Sequence, residues 1–211
     1  MKALRPLLPA ILAMCAIVAA SNVLVQHPFD HFGLNDILTW GAFTYPIAFL
    51  VNDLTNRRFG PAAARKVVYA GFVLGVTMSI WLATPRIAIA SGSAFLIAQL
   101  MDITVFDRLR RQEWWKAPFA GAMFGSVLDT MLFFSIAFAA KFAWIDAMTG
   151  MPDSSLAHLV PFFGVEIPLW ASLAFGDFLV KTFMGTIMLV PYGMVLAIFA
   201  PAIYSASRNS R

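Results

Sequence analysis

Long apolar runs separated by short polar connections follow one another along the chain. An α-helix needs about 20 predominantly apolar residues to cross the hydrocarbon core of a membrane, and most of these runs approach that length. We predict six spanning helices with the approximate bounds Pro6–Gln26, Ile37–Val51, Val67–Ala83, Ile87–Phe106, Ala117–Ala140 and Pro168–Pro201. The pattern predicts an all-α polytopic membrane protein, a bundle of six transmembrane helices forming a single domain over residues 1–211.

Three segments depart from a simple spanning pattern. The first run is longer than the apolar core of a signal peptide, which has about 7–15 residues, so we interpret it as a spanning helix. The second is short unless the helix continues beyond Val51, and the last is long enough to tilt or to kink at Pro191. The connection Lys141–Ile167 is a candidate for an interfacial helix or a lid.

The composition supports a membrane location for the whole chain. Hydrophobic residues make up 60% and charged residues 12%, whereas soluble domains have about 45–50% and about 25%. The net charge of +4 is therefore interpreted as a topology signal and not as a nucleic-acid-binding surface. Cys15 is the single cysteine, which excludes a disulfide within the chain and a cysteine-based zinc cluster.

Basic residues are distributed unequally between the two faces of the predicted bundle. Only Arg86 and Lys141 fall on one face, and Lys181 lies inside the last span. The other face carries twelve: Lys2, Arg5, Arg57, Arg58, Arg65, Lys66, Arg108, Arg110, Arg111, Lys116, Arg208 and Arg211. The positive-inside rule then predicts that both termini are cytoplasmic, which agrees with an even number of spans.

Several polar residues occur within spans, where a charged side chain costs about 2.5–3.5 kcal/mol on insertion scales. Span four has Gln99, Asp102 and Thr104, span five has Ser126, Asp129 and Thr130, and span six has Asp177 and Lys181. Ionisable residues at such positions are functional candidates because a polar ligand or a water-filled site can offset their cost.

The partner of Lys181 is open at the level of sequence. Asp177 lies four residues earlier, the spacing and order that bring opposite charges together on one helical face. The two side chains would then simply neutralise each other. Alternatively, Lys181 reaches across the bundle to Asp129 or Asp102.

The polar residues of spans four and five suit a purine-like solute. Gln99 and Asp102 share a helical face, and Ser126 and Asp129 repeat that spacing. A carboxylate can accept two N–H bonds from one edge of a base, while an amide can both donate and accept. Aromatic side chains that can stack on the ring are Phe133, Phe134, Trp170, Phe175 and Tyr192, although each alone is more typical of core or interface positions.

Two other patterns have structural explanations. Gly71-x-x-x-Gly75 and Gly121-x-x-x-Gly125 predict close helix packing. The segment 52–60 combines amide, carboxyl and hydroxyl side chains with Arg57 and Arg58. It is either a charge cluster that fixes orientation or a set of groups that cap the helix end or gate an inner exit.

An enzyme is not expected. All three histidines, His27, His31 and His158, fall in predicted external loops, and the chain has neither an H-E-x-x-H nor a G-x-S-x-G motif. We therefore expect no catalytic residues, no metal and no cofactor.

Five stretches together resemble the queuosine precursor transporter family, also called the vitamin uptake transporter family. They are Phe49–Arg57, Ala64–Gly71, Ala98-Gln99 with Asp102, Asp129-Thr130 followed by Phe133-Phe134, and Lys181 with Pro191-Tyr192. The resemblance runs from about residue 37 to 199 and is most specific in the segment after span two. Gly125-Ser126 departs from it, since a Ser-Gln pair is typical there, which leaves Gln99 as the surer amide contact.

The resemblance implies a six-helix inner-membrane importer of 7-cyano-7-deazaguanine and 7-aminomethyl-7-deazaguanine, which supply the queuosine modification of transfer RNA. An alternative is a substrate-binding subunit of an energy-coupling-factor transporter. The expected partners are this small solute and membrane lipid, with no nucleic acid, and a homo-oligomer is an open option. The expected substrate-binding residues are Asn52, Asp53, Gln99, Asp102, Asp129, Thr130, Phe134, Lys181 and Tyr192.

Overall fold

The protein is a helical bundle with one small β-hairpin. The computed structural model describes residues 2–34, 38–151 and 156–208, with side chains described in 5–34, 38–151 and 156–198. The long helices are α1 (Leu8–Leu24), α2 (Gly41–Phe59), α3 (Pro61–Leu82), α4 (Pro85–Leu109), α5 (Lys116–Phe138), α7 (Leu169–Ile187) and α8 (Leu189–Arg208). Short 3-10 helices (Lys2–Leu7 and Ala140–Phe142), helix α6 (Trp144–Thr149) and the antiparallel strands β1 (Leu159–Phe162) and β2 (Val165–Pro168) complete the described part.

Five helical segments within the described residues are long and apolar enough to cross a membrane. They are Arg5–Leu24, Pro61–Leu82, Pro85–Leu109, Lys116–Phe138 and Leu169–Ile198. Helix α2 has 19 residues, but its second half is polar and it falls short on apolarity. The all-α polytopic character is thus confirmed, while six spans and the cytoplasmic termini stay predictions.

Three details refine the sequence prediction. The second span was predicted to start at Ile37, which lies outside the described residues, and helix α2 runs on to Phe59, the continuation that the sequence allowed. The predicted last span contains a break, one of the options given for Pro191: α7 and α8 meet at Met188, because Pro191 in the first turn of α8 lacks the N–H that would continue α7. The long connection contains α6 and the hairpin, so it includes the only strands of the described part.

Close helix contacts confirm the packing interpretation of both glycine patterns. A Cβ at Gly71 would overlap the Met14 side chain of α1, and one at Gly125 would overlap Phe49 of α2. Helices α4 and α5 form a closely packed pair, and α2 lies against α1, α3, α4 and α7. The small residues thus let α3 approach α1 closely and let α5 approach α4 and Phe49 of α2.

The outer surface of the bundle is strongly apolar. Large side chains on four helices are more than half exposed, namely Leu12 (60%), Val73 (63%), Phe124 (59%) and Phe183 (64%). A water-soluble protein rarely exposes such patches over its whole circumference, whereas lipid is their ordinary surrounding. The surface therefore agrees with a multi-pass membrane protein.

The bundle has two chemically different ends. One, here called the basic end, contains the α2–α3 and α4–α5 connections with Arg57, Arg58 and Arg110. The other, here called the hairpin end, contains α6 and the β-hairpin. At the hairpin end, buried Arg86 donates to Asp146 at 2.5 Å and to the carbonyls of Ile136 and Ala139. This ion pair fixes α4, α5 and α6 together.

Candidate functional site

A large cavity enters the bundle from the hairpin end. Its volume is about 610 Å³, and its walls come from α1, α2, α3, α4, α5 and α7. Most of the lining is apolar, and the polar groups at its deep end include Asp129, Asp177 and Lys181. Pockets that hold small ligands have about 300–1,000 Å³ and the same mixture of an apolar wall with a few polar groups.

Lys181 lies between two carboxylates at the bottom of this cavity. Its Nζ is 2.5 Å from Asp129 Oδ2 on α5 and 2.5 Å from Asp177 Oδ2 on its own helix. The Thr130 hydroxyl donates to Asp177 Oδ2 at 2.7 Å. Lys181 therefore makes both the local and the cross-bundle contact that the sequence left open. Two acids share one base, so the group, here called the acid–lysine triad, has a formal charge of −1.

Tyr45 adds an aromatic face to the acid–lysine triad. Lys181 Nζ lies 5.0 Å from the centre of the Tyr45 ring, and Tyr45 also lines the cavity. An ammonium over such a ring is stabilised by the ring quadrupole. Tyr45 is not among the site residues predicted from sequence. A tyrosine within an apolar run could have indicated it, since a buried tyrosine hydroxyl usually needs a polar neighbour.

Phenylalanines form one wall of the cavity. Phe134, which is 8% exposed, lies edge-on to Phe133 with ring centres 5.0 Å apart, and Phe138 is 6.0 Å away. These three rings line the cavity, as does Phe95 from α4. The wall offers flat apolar surfaces within the same chamber as the acid–lysine triad.

The other aromatic candidates lie elsewhere. Trp170 packs around the cluster that includes Phe134 but does not line the cavity. Phe175 is 42% exposed and contacts Phe162 of the hairpin. Tyr192 lies near the basic end. Sequence analysis therefore selected some residues of the wall, but the tertiary structure decides which rings face the cavity.

A second buried polar group, here called the Asn52 cluster, lies between α2 and α4. Asn52 Nδ2 donates to Asp102 Oδ2 at 2.7 Å and approaches the Gln99 carbonyl at 3.3 Å. The side-chain amide of Gln99 is fully buried, and neither its oxygen nor its nitrogen has a partner among the described residues. Asp53 Oδ1 and Asp102 Oδ1 are likewise buried without a partner there. None of these four residues lines the large cavity.

A small void separates the acid–lysine triad from the basic end. It has a volume of about 10 Å³, and its lining includes Asp53, Ser126, Lys181 and Tyr192. Met188, where α7 meets α8, is also part of the lining. The void is roughly the size of one water molecule. Lys181 of the acid–lysine triad and Asp53, which follows Asn52, both line this void, so the two polar groups are neighbours.

The basic end is closed by contacts of Arg57. Its Nε donates to the Tyr192 hydroxyl at 2.8 Å, and its Nη1 donates to the Arg110 carbonyl at 2.5 Å. The guanidinium lies 5.0 Å from the Phe106 ring centre, and Trp114 stacks on Tyr192 at 6.5 Å. This group, here called the Arg57 latch, ties α2 to α4, the α4–α5 connection and α8.

The hydrogen-bonding groups of segment 52–60 thus make contacts between helices. Asn56 Nδ2 donates to the Ile103 carbonyl at 3.2 Å, as Asn52 does to α4 one turn earlier. Thr55 donates to the Val51 carbonyl of its own helix. The polar second half of α2 is therefore bonded in part to α4 and α8, while Asn52 Oδ1, Asp53 Oδ1 and Asn56 Oδ1 are buried without a partner among the described residues.

Comparison with known families matches most of this chain. The model of a family described as "Putative vitamin uptake transporter" matches residues 39–84 and 77–195. These ranges include every polar group described above. No solved structure matches the chain.

Three curated relatives extend the match. A Haemophilus influenzae protein named "Probable queuosine precursor transporter" is 37% identical over 85% of this chain and 82% of its own length. The Escherichia coli "Queuosine precursor transporter" is 33% identical over 85% of this chain and 81% of its own length. A Bacillus subtilis "Probable queuosine precursor transporter" is 27% identical over 56% of this chain and 63% of its own length.

Proposed function

Because the chain belongs to the vitamin uptake transporter family, we propose that it carries queuosine precursors across the inner membrane into the cytoplasm. The proposed solutes are 7-cyano-7-deazaguanine and 7-aminomethyl-7-deazaguanine. Two relatives with at least 33% identity over most of the chain are named for queuosine precursor transport. The single structural observation that carries the proposal is the cavity that ends at the acid–lysine triad.

The chemistry at the cavity bottom suits the guanine-like edge of these solutes. That edge has a ring N–H and an exocyclic amine, which the Asp129 carboxylate can accept together. Beside them the solute has a carbonyl, to which Lys181 Nζ can donate, and Phe134 offers a ring for stacking. The 7-aminomethyl group is an amine that is cationic at neutral pH, and the formal −1 charge of the triad suits a cation.

Some of the residues proposed to contact the solute line the large cavity, and others do not. Direct contact is proposed for Asp129, Lys181 and Phe134, which line the cavity, and Thr130 holds Asp177 in place. The contacts expected from sequence for residues outside the lining stay predictions, namely Asn52, Asp53, Gln99, Asp102 and Tyr192.

The sidedness of the protein follows from its charge distribution. The basic end carries most of the lysines and arginines, and the positive-inside rule places such an end in the cytoplasm. The cavity at the hairpin end would then open to the outside. In this orientation both termini are cytoplasmic, α2 crosses the membrane as the second of six spans, and the described conformation accepts solute from outside.

Solute exchange by the purified protein tests the proposal. Proteoliposomes preloaded with unlabelled 7-aminomethyl-7-deazaguanine should take up labelled solute without any ATPase, and 7-cyano-7-deazaguanine should compete. Asp129→Asn keeps the size of the side chain but removes the charge beside Lys181, so it should abolish exchange. Asp107→Asn is the matched control, because Asp107 on α4 is exposed and makes only a surface ion pair.

Two results would contradict the proposal. Wild-type exchange no higher than in protein-free liposomes would reject 7-deazaguanine transport. Exchange that requires an added energising ATPase would support the substrate-binding-subunit alternative, which the comparisons do not favour. The matching family is described as a transporter family, and we propose no catalytic role for the chain.

A further inference from the structure

Buried carboxylates in this bundle fall into two kinds. Asp129 and Asp177 share Lys181, and Asp146 is paired with Arg86. Asp53 and Asp102 are only 3% and 0% exposed, yet neither makes a salt bridge among the described residues. A carboxylate buried in a membrane without a cation is costly and is normally neutralised. Asp53 and Asp102 therefore need a neutralising species that the acid–lysine triad does not need.

The surroundings of Asp102 decide which species fits. Its Oδ2 accepts from Asn52, and its Oδ1 packs so closely on α5 that a Cβ at Gly121 would overlap it. Asp102 lines neither the large cavity nor the small void. A metal ion would need several oxygen ligands and room for its coordination shell. A proton needs no such volume, so the packing selects a proton.

No basic side chain among the described residues forms a salt bridge with Asp102. Helix α2 presents Asp53 and Arg57, and two nitrogens of Arg57 are bonded in the Arg57 latch, while its Nη2 is buried without a partner there. Helix α5 presents Gly121, while its Asp129 lies two turns further along and binds Lys181.

Helix α3 contributes no charge towards this site either. It turns Ala64, Val67 and Val68 inward, and its Arg65 and Lys66 are exposed. Neither Arg65 nor Lys66 therefore neutralises Asp102.

Polar side chains extend from the cavity towards this site. Lys181 lines both the large cavity and the small void, and Asp53 lines that void beside Ser126. Asp53 follows Asn52, whose side chain binds Asp102 directly. The void is about the size of one water molecule, so water at the void can pass a proton to Asp53 without opening the Arg57 latch.

We propose that Asp102, reached through Asp53, is an intramembrane proton-binding site that couples solute uptake to inward proton movement. This inference rests on the proposed function. A proton from the outside enters through the cavity, binds a carboxylate oxygen of Asp102, and leaves to the cytoplasm when the basic end opens. The acid–lysine triad holds the solute, and Asp102 holds the proton.

Proteoliposomes separate solute exchange from proton coupling. Exchange is measured at equal pH on both sides, and accumulation is measured with an acidic exterior and a trapped pH dye. A gradient of about one pH unit is worth about 1.4 kcal/mol per proton, which supports about tenfold accumulation at one proton per solute. Wild-type protein and Asp107→Asn should both accumulate solute and acidify the lumen when solute is added.

Asp102→Asn should lose the gradient-driven accumulation and the solute-dependent proton influx. Asparagine resembles the protonated acid in shape and charge, so exchange at equal pH should persist. Loss of that exchange in a variant that inserts would instead support the solute contact that the sequence predicts for Asp102 and would overturn the proton site. If Asp102→Asn does not insert, Asp53→Asn provides the same test, because it interrupts the route at the void. Gradient-driven accumulation that survives in the variant that inserts overturns the assignment.

The wild-type result separates the two proposals. Exchange without any response to the pH gradient overturns proton coupling and leaves the transport function standing. Absence of exchange for both 7-deazaguanines rejects the transport function itself.

Discussion

Buried polar groups border a large cavity in one half of the bundle and are packed between helices in the other half. In the hairpin half, the acid–lysine triad borders a cavity of about 610 Å³. In the basic half, the Asn52 cluster and the Arg57 latch are packed between helices, and the void described there is about 10 Å³. The first half has room for a solute, whereas the void in the described part of the second half is about the size of one water molecule.

This difference indicates one state of an alternating-access cycle. Transporters bind their solute near the bilayer midplane and open to one side at a time. Here the triad lies at the boundary between the open and the closed half, with Lys181 lining both spaces. Opening the basic half requires the contacts of Arg57 with Tyr192 and Arg110 to break. The difference between the two halves can therefore be tested at the two ends of the bundle, at the acid–lysine triad, at the phenylalanine wall of the cavity and at the Arg57 latch.

The largest expected effect concerns which end faces outward. In a Cys15→Ala background, Phe163→Cys lies at the hairpin end, where residue 163 is 89% exposed. Arg111→Cys lies at the basic end. A membrane-impermeant maleimide applied to intact cells should label Phe163→Cys and leave Arg111→Cys unlabelled, and both should react after solubilisation. The reverse pattern would invert the proposed orientation.

The next effect concerns the charge balance of the triad. Lys181→Met leaves Asp129 and Asp177 without their shared cation, and breaking a buried pair costs about 3–5 kcal/mol. Exchange normalised to membrane abundance should fall by at least about 100-fold, since about 1.4 kcal/mol corresponds to tenfold. Lys116→Met, at a half-exposed surface pair, is the control.

A double variant sharpens this test. Asp177→Asn with Lys181→Met should remain inactive, because Asp129 is still buried without a cation. Full recovery in the double variant would mean that Lys181 merely neutralises Asp177.

A smaller effect is expected at the aromatic wall. Stacking of a base on an aromatic side chain is worth about 1–3 kcal/mol, so Phe134→Ala should weaken apparent solute affinity by about tenfold or more. Phe134→Leu should retain the fold with a similar loss of stacking. The matched control is Phe183→Ala, whose ring is 64% exposed on the outer surface of α7. Equal affinities in Phe134→Leu and wild type would remove stacking from the proposal.

The smallest effect is expected at the Arg57 latch. Tyr192→Phe removes the hydroxyl that accepts from Arg57, and one such bond contributes about 0.5–3 kcal/mol. In a Cys15→Ala background, Ser126→Cys at the void should react several fold faster from the basic side when Tyr192→Phe is present. Tyr69→Phe, on the exposed face of α3, serves as the control. Unchanged labelling would mean that this bond does not help to close the basic half.

Much of the architecture could be predicted from sequence, because the length of an apolar run and the glycine and proline residues that end or begin a helix are local properties. Gly60 has a φ of +84° and precedes Pro61, so α2 ends and α3 begins there. The sequence allowed the last span either to tilt or to kink at Pro191, and the structure shows that α7 ends and α8 begins close to that proline. The hairpin was missed, since its alternation is short and its phenylalanines resemble an interfacial helix.

The sequence by itself determined that Asp102, Asp129 and Lys181 would be buried in a membrane, because a residue in the middle of an apolar span lies at the depth of the hydrocarbon core. It also narrowed the partner of Lys181 to a few carboxylates. Only the tertiary structure decided that Asp129 and Lys181 meet at a cavity while Asp102 lies in a packed interface with Asn52. The reason is geometric: helical spacing fixes which face a side chain occupies, whereas helix rotation and small residues such as Gly121 fix what that face meets.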